Sequence, residues 1–427
     1  MTKKERLQTP TGMHDILPEE QIYRRKINEV VEKIADFYNF KKIDTPILEY
    51  ADVFAKGVGL DTDIIQKEMF TFKTKGDDVL SLRPEGTSPI VRAYLEQGMF
   101  NMPQPVKLWY SGPFFRYEKP QAGRYRQFWQ FGLEVLGEAS AVVDAQVIQI
   151  FYNILKDLKL KNLMVEINSI GDSQCRPYYK KLLKNYLHSR EGSLCTYCRN
   201  RLKTNPLRVL DCKEEKCQRI VSQAPQTIDH LCGECKQHFK DVLEFLDEAE
   251  IPYRLNPYLV RGLDYYTKTV FEIVEQSPSG ESLGTLIGGG RYDGLAKVLG
   301  GRNIPAMGGA AGIERVIAVM KEQGIDFSKD IPPKVFLSQI GKMAKIKSIK
   351  LFEDFRKANI SIVESLGRDS LRSQIAKADK LGVAYSLILG QRETLEGTII
   401  IRDMQTGKQT VVKLDEVVDK IKKLLIK

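Results

Sequence analysis

Two extended runs on either side of a short polar loop constrain this chain most. Residues 105–118, "PVKLWYSGPFFRYE", and 126–137, "RQFWQFGLEVLG", flank the loop 119–125. Both carry strand-like patterning, so they are expected to form a hairpin. Side chains alternate faces along a strand. Phe128, Gln130, Gly132 and Glu134 therefore share one face, and Trp129, Phe131, Leu133 and Val135 the other. The second face reads as core. The first carries a ring, an amide, a gap and a carboxylate, which suits a pocket floor. Phe114, Arg116 and Glu118 share a face of the partner run in the same way. A solvent-exposed sheet face would seldom keep two phenylalanines in line with its polar groups, so a pocket is expected. Residues 112–134 also hold three arginines and a lysine beside four phenylalanines, two tyrosines and a tryptophan. That density of fixed cations and rings needs an explanation from the rest of the chain.

At 427 residues the chain is too long for one compact core, and two or three domains are expected. The N-terminal "MTKKERLQTPTGMHDILPEE" has no apolar signal region, and no later apolar run is long enough to span a bilayer, so a cytoplasmic protein without membrane contact is expected. The formal net charge is +10, and residues 331–427 hold 14 Lys and 5 Arg against 11 Asp and Glu, a local excess of +8. Two readings of that basic end stand side by side: a polyanionic partner, nucleic acid first, or a solvated lysine-rich surface.

The pattern along the chain gives the organisation. Residues 18–39 have apolar residues near helical spacing, 40–50 are extended with a bend at Pro46, and 77–85 are extended and run into a helix that Thr87 is placed to cap. Residues 141–158 read as a helix and 163–171 as a strand. Residues 172–252 break this rhythm, hold the cysteine cluster and read as an insertion. Strand signals resume at 257–274, and 283–300 and 304–324 follow. A proline-containing linker at 326–334 leads to a small domain of alternating strands and helices with a mostly parallel sheet. The expected boundaries are 1–330 for the first part, interrupted by 172–252, and 331–427 for the last.

Several short motifs are weak alone. "RPEGT" (83–87) places Glu85 where a strand meets a helix, with Gly86 allowing close approach, but an ordinary capped turn reads the same way. "RGLDYY" (261–266) packs an arginine, an aspartate and two tyrosines together, yet could be an edge strand. "GGGRYDG" (288–294) lacks the ending of a nucleoside triphosphate P-loop. "MGGAAGIER" (307–315) is a small-residue strand entering a helix with Arg315, where a flat ligand could lie against backbone.

Together, in this order and spacing, they resemble the histidyl-tRNA synthetases of class II. Arg116-Tyr117-Glu118, a loop and Arg126-Gln127-Phe128 are similar to motif 2 of that class, "GIER" (312–315) to motif 3, and "IDTPILEY" (43–50) to motif 1 of the dimer interface. "RGLDYYTKTVFE", "GGGRYDGL", "LRPEGT" and the "TNPLRVLDCK" of the insertion are similar to stretches that mark the histidine enzymes. The resemblance implies an α+β protein: an antiparallel-sheet catalytic core with an inserted small domain, and a C-terminal α/β anticodon-binding domain. It implies a histidine–tRNA ligase that uses ATP with Mg2+, binds L-histidine and histidine tRNA, and forms a homodimer.

By the same resemblance, Arg116 and Arg261 are the catalytic pair at the α-phosphate. Glu118, Arg124, Phe128 and Arg315 serve ATP, with Phe128 stacking on adenine and Arg315 on its other face. Glu85, Gly86, Thr87, Gln130, Glu134, Tyr265 and Tyr266 form the histidine pocket, with Glu134 and Tyr266 reading the imidazole, which has one donor and one acceptor nitrogen. The alternative is a synthetase-like, non-catalytic regulator of histidine biosynthesis. Other class II enzymes and a plain zinc-and-RNA module explain fewer of the motifs.

Seven cysteines are present, six of them between 195 and 235. Two C-x2-C pairs suggest a structural zinc held by Cys195, Cys198, Cys232 and Cys235, with Cys212 and Cys217 as alternates. Buried free cysteines fit the same pattern.

Overall fold

The computed structural model describes residues 7–60, 62–120, 123–277, 282–327, 334–365, 367 and 370–425. The chain divides into two compact units, Met1–Asp326 and Phe327–Lys427. The expected boundary at 330/331, and most of the 326–334 linker, fall outside the described residues. Among the described residues, no helix is long and apolar enough to cross a membrane.

The first unit is built on an eight-stranded sheet in the order 41–42, 106–115, 127–136, 306–312, 282–291, 267–276, 163–169, 253–255. Its two outer pairings are parallel and the five inner ones antiparallel. The hairpin forms as the alternation requires, over Val106–Phe115 and Gln127–Leu136, with Phe114 opposite Phe128. Phe131, Leu133 and Val135 are buried on the core face, and Phe131 packs on Phe151 of the helix Ala141–Asp157. The helix Pro18–Phe37 buries Ile27, Val30, Val31 and Ile34.

A small sheet of 48–50, 79–82 and 71–73 stands apart from the large one. The insertion is helical, with Arg176–His188, Thr196–Thr204, Glu215–Val221 and Gly233–Glu248. Residues 257–266, expected to open a strand, form a turn-rich approach; the strand begins only at Thr267. This frees Arg261 and Tyr265 from sheet geometry and lets both turn toward the interior.

The second unit has a five-stranded sheet in the order 362–364, 335–339, 385–389, 398–403, 409–413. The expectation of a mostly parallel sheet is corrected here: two pairings are parallel and two antiparallel. The strand Gln409–Lys413, which the sequence reading missed, is almost wholly exposed and has no clear hydrophobic alternation. Val335, Leu337, Leu351, Phe355, Leu387 and Ile399 form the core of this unit.

Candidate active site

The strand-to-helix turn at 83–88 is capped from its own sequence. Gly86 ends the turn and the helix runs from Thr87 to Glu96. The Glu85 carboxylate accepts the backbone N–H groups of Thr87 (2.7 Å) and Ser88 (3.0 Å). A carboxylate at a helix N-terminus satisfies orphan donors and meets the positive end of the dipole. Thr87 is therefore not the cap. Its hydroxyl is released to donate to Glu134 Oε1 at 2.8 Å.

Glu134 is fully buried, and Tyr292 donates to its Oε2 at 2.5 Å. Burial pushes the Glu134 carboxyl up to about 8, even though both hydrogen bonds favour the charged form. Burial likewise raises Glu85, with Ser88 and the helix amides opposing it. Tyr265 reaches Glu85 at 3.4 Å and packs on Tyr266, ring centroids 4.6 Å apart. The phenol on Glu134 is Tyr292, a residue outside the expected pocket set. Register explains this. Gly308 pairs with both Glu134 and Gly290, so the residue just past the strand Ser282–Arg291 reaches across a side-chain-free position. A Cβ on Gly308 would overlap the Glu134 carboxylate. Tyr110 fills the gap left by Gly86 and Gly132, since a Cβ on either glycine would collide with its ring. Its hydroxyl is buried with no protein partner.

Beside this buried cluster lies a cavity of about 440 Å3 lined by Arg116, Glu118, Arg124, Phe128, Gln130, Arg261 and Arg315, among others. Arg116 donates through Nε to Pro84 O at 2.9 Å, and its guanidinium lies 5.4 Å from the Phe128 ring centre. Arg261 pairs with Glu272, which also accepts from Thr285 at 2.5 Å. The Arg261 Nε is buried without a partner, a donor left for a ligand. Burial, then the neighbouring Arg124, lowers Arg315, with Glu272 and Glu322 opposing. Glu314, next in chain, accepts the Trp129 N–H at 3.0 Å and pairs with Arg24 at 2.7 Å, anchoring the helix that presents Arg315. A larger groove, about 620 Å3 along Arg92, Phe100 and Arg302, is lined by none of these site residues.

The structure therefore brings Arg116, Glu118, Arg124, Phe128, Gln130, Arg261 and Arg315 to one cavity. Glu85, Gly86, Thr87, Glu134, Tyr265 and Tyr266 cluster in the adjoining interior. Sequence reading missed Asp63, Glu272, Tyr292 and Glu314. Asp63 lines the cavity and binds Arg201 (2.9 Å) and Arg208 (3.6 Å) of the insertion. Arg291 of the glycine-rich motif is wholly buried on Asp144 (2.5 Å), with His238 2.8 Å from the same carboxylate.

The cysteines do not combine as expected. Cys195 and Cys198 meet Cys212 and Cys217, whereas Cys232 and Cys235 meet Asp172 and Cys175. Each C-x2-C pair does sit together, but the folds of the insertion carry the two pairs to different places.

Comparison with known proteins identifies the family. The family model described as histidyl-tRNA synthetase matches residues 12–316, and one described as an anticodon binding domain matches 334–424. The chain is 45% identical to the histidine–tRNA ligase of Dehalococcoides mccartyi over 416 residues, covering 97% of this chain and 99% of that one. It is 43% identical to that of Halothermothrix orenii over 420 residues, 98% of this chain and 100% of the relative. The crystal structure of apo histidyl-tRNA synthetase from S. aureus superposes with a TM-score of 0.81 at 36% identity, covering 98% and 100% of the two chains.

Proposed function

We infer the roles below from the premise that this chain belongs to the histidyl-tRNA synthetase family, the class II enzymes that attach histidine to its tRNA. Its reaction is that of a histidine–tRNA ligase. Histidine attacks the α-phosphate of ATP, pyrophosphate leaves, and the histidyl group passes from the adenylate to the terminal ribose of the tRNA. The regulatory alternative is set aside, since full-length relatives at 42–45% identity are named as ligases.

One observation carries the assignment of roles: three arginines and a ring, Arg116, Arg261, Arg315 and Phe128, line one cavity beside the buried Glu134. Phe128 takes the adenine face, with Arg315 opposite. Arg116 and Arg261 approach the α-phosphate, and the free Arg261 Nε is the donor that engages charge developing there. No protein nucleophile is required, because adenylation depends on positioning and charge stabilisation. Glu85 and Gln130 hold the amino and carboxylate ends of histidine, and Glu134 accepts from the imidazole N–H. The tyrosine cluster excludes water from this end of the site.

Magnesium, when bound with ATP, neutralises phosphate charge. Glu68 and Glu118 both line the cavity, and burial together with Glu118 raises Glu68, a carboxylate pair suited to share a cation. Arg124 reaches toward the triphosphate tail and the acceptor end. The basic C-terminal unit binds the anticodon arm.

The proposed homodimer is supported by apolar residues exposed on and beside the small sheet: Ile47, Leu48, Tyr50, Phe72 and Val79. Light scattering that reports a monomer at micromolar concentration would exclude it. The assignment as a whole is tested by pyrophosphate exchange across the standard amino acids, with histidine alone expected to support exchange, followed by charging of histidine tRNA.

A further inference from the structure

The insertion contains two clusters of thiols that the aminoacylation chemistry does not use. In the first, the sulfurs of Cys195, Cys198, Cys212 and Cys217 all lie within 4.8 Å of one another. Cys195 and Cys212 are 4.0 Å apart. A zinc ion with four bonds of about 2.3 Å places its sulfurs about 3.8 Å from each other, so the cluster needs to contract only slightly around one ion. The four thiols come from three separate segments: the start of the helix Thr196–Thr204, the following loop, and the helix Glu215–Val221. Backbone amides already face the sulfurs. Cys198 N–H points to Cys195 Sγ (3.4 Å) and Cys195 N–H to Cys217 Sγ (3.3 Å), the kind of bond that steadies metal thiolates.

In the second cluster, the ligand atoms of Asp172, Cys175, Cys232 and Cys235 also lie within 4.8 Å of one another. Asp172 N–H points to Cys175 Sγ at 3.4 Å. All seven cysteines are free of disulfides. Buried thiols that merely pack have no reason to converge from separate segments as a set of four and a set of three beside a carboxylate, with Cys198, Cys217 and Cys235 wholly inaccessible.

We propose that this protein binds two structural zinc ions per chain, one in a tetrathiolate site at Cys195, Cys198, Cys212 and Cys217, the other at Cys175, Cys232, Cys235 and the Asp172 carboxylate. Soft thiolates in a tetrahedral array select zinc, and the tight mutual spacing suits a single ion rather than a cluster. Each site is filled by loss of thiol protons to solvent, with no redox change. The second site clasps the root of the insertion, joining the segment that leaves the strand Leu163–Ser169 to the helix Gly233–Glu248.

The first site also bears on the catalytic cavity, a consequence that rests on the roles proposed above. Arg201, Arg208 and Asp211 all line the cavity, and all lie between Cys198 and Cys212 in the chain. Arg208 donates to the Arg261 carbonyl at 3.2 Å, and Arg201 to the Arg208 carbonyl at 3.0 Å. A metal that closes the segment from Cys198 to Cys212 holds these cations in place. Arg201 and Arg208 are thus positioning residues for Arg261.

The test uses the full chain, produced in zinc-supplemented medium and purified with reductant and no chelator. Elemental analysis is expected to find about two zinc ions per chain; one or fewer overturns the assignment. Cys217→Ser and Cys235→Ser should each retain about one. A soluble, cooperatively melting variant that loses both ions would mean one shared site and also overturn it. Cobalt exchange into the unaltered protein gives a measure independent of folding defects: intense thiolate-to-metal charge-transfer bands support the two sites, and their absence rejects them. For the coupling, Cys217→Ser should slow pyrophosphate exchange at least about tenfold; unchanged exchange in a variant that has lost one ion refutes it. Failure of the unaltered protein to exchange would refute the proposed roles while leaving the metal counts to stand.

Discussion

Tyr292 donates to Glu134 at 2.5 Å across the position of Gly308. The carboxylate of the proposed histidine pocket is thereby tied to a residue 158 positions away, and burial pushes it up to about 8. Its free-chain value is about 4.3. Between these limits the folded protein holds a proton that the unfolded chain has released, so stability falls as pH rises from about 4 toward 8. Glu134→Gln removes this loss. At pH 8.5 the variant should melt at least about 2 °C above the unaltered protein. Its KM for histidine should rise while that for ATP stays within a few-fold. A lower melting temperature at pH 8.5, or equal loss for both substrates, would contradict the role.

Gly288 supports Arg261 by having no side chain, since a Cβ there would overlap the guanidinium. Gly288→Ala should displace Arg261 with little effect on folding, because a side-chain tip can move. Displacing a group by about 1 Å at a reacting centre can cost about 100-fold, so pyrophosphate exchange should fall by that order with histidine binding nearly unchanged. Arg261→Ala should do the same. Exchange within a few-fold of normal in either folded variant would remove Arg261 from the mechanism.

Arg291 and Asp144 form a fully buried pair. Burial alone would raise Asp144; the His238 hydrogen bond and the Arg291 charge more than offset it and hold the carboxyl below its usual value. That stability is present above pH ~4 and is lost as pH falls through the lowered folded-state value. Arg291→Ala strands the carboxylate and should cost about 3–5 kcal/mol at pH 7 in denaturant unfolding. The gap to the unaltered protein should narrow below pH ~4. A gap that stays constant with pH would show that the cost is packing alone.

The basic excess past residue 331 is the proposed contact for tRNA. A fragment of residues 1–326, one compact unit, should keep pyrophosphate exchange and lose most tRNA charging. The intact protein should show the steeper fall of tRNA affinity with salt, because each phosphate contact releases counterions. Charging by the fragment at near-intact efficiency would make that surface merely solvated.

What the sequence disclosed follows from the range of the interactions. Strand alternation separated Phe128, Gln130 and Glu134 from Phe131 and Leu133, because that pattern is local. The antiparallel core and the site arginines were implied by the family resemblance, which rests on the order and spacing of several short motifs and not on any one of them. Tyr292, Glu272, Glu314 and Asp63 gave no such signal, since each acts on a partner brought near only by sheet register or by the insertion. The cysteines show the same limit. A C-x2-C spacing fixes which two thiols share a turn, but not which other turn they meet, so Cys175 and Asp172 could not be found by counting. Thr87 looked like a cap because threonine often is one; Glu85 took that place through a side chain that helix-start statistics do not single out.

The two central strands meet glycine to glycine, Gly289 opposite Gly309 and Gly290 opposite Gly308. Every single-base change in a glycine codon that alters the residue adds at least a β-carbon. At Gly289, Gly290 and Gly308 that carbon would land on the Gly308 carbonyl, on Thr269 O and on Glu134 respectively. At those three positions any side chain forces the sheet or Glu134 to shift. Substitutions that leave the sheet intact are therefore closed off from beneath and left to the rim of the site.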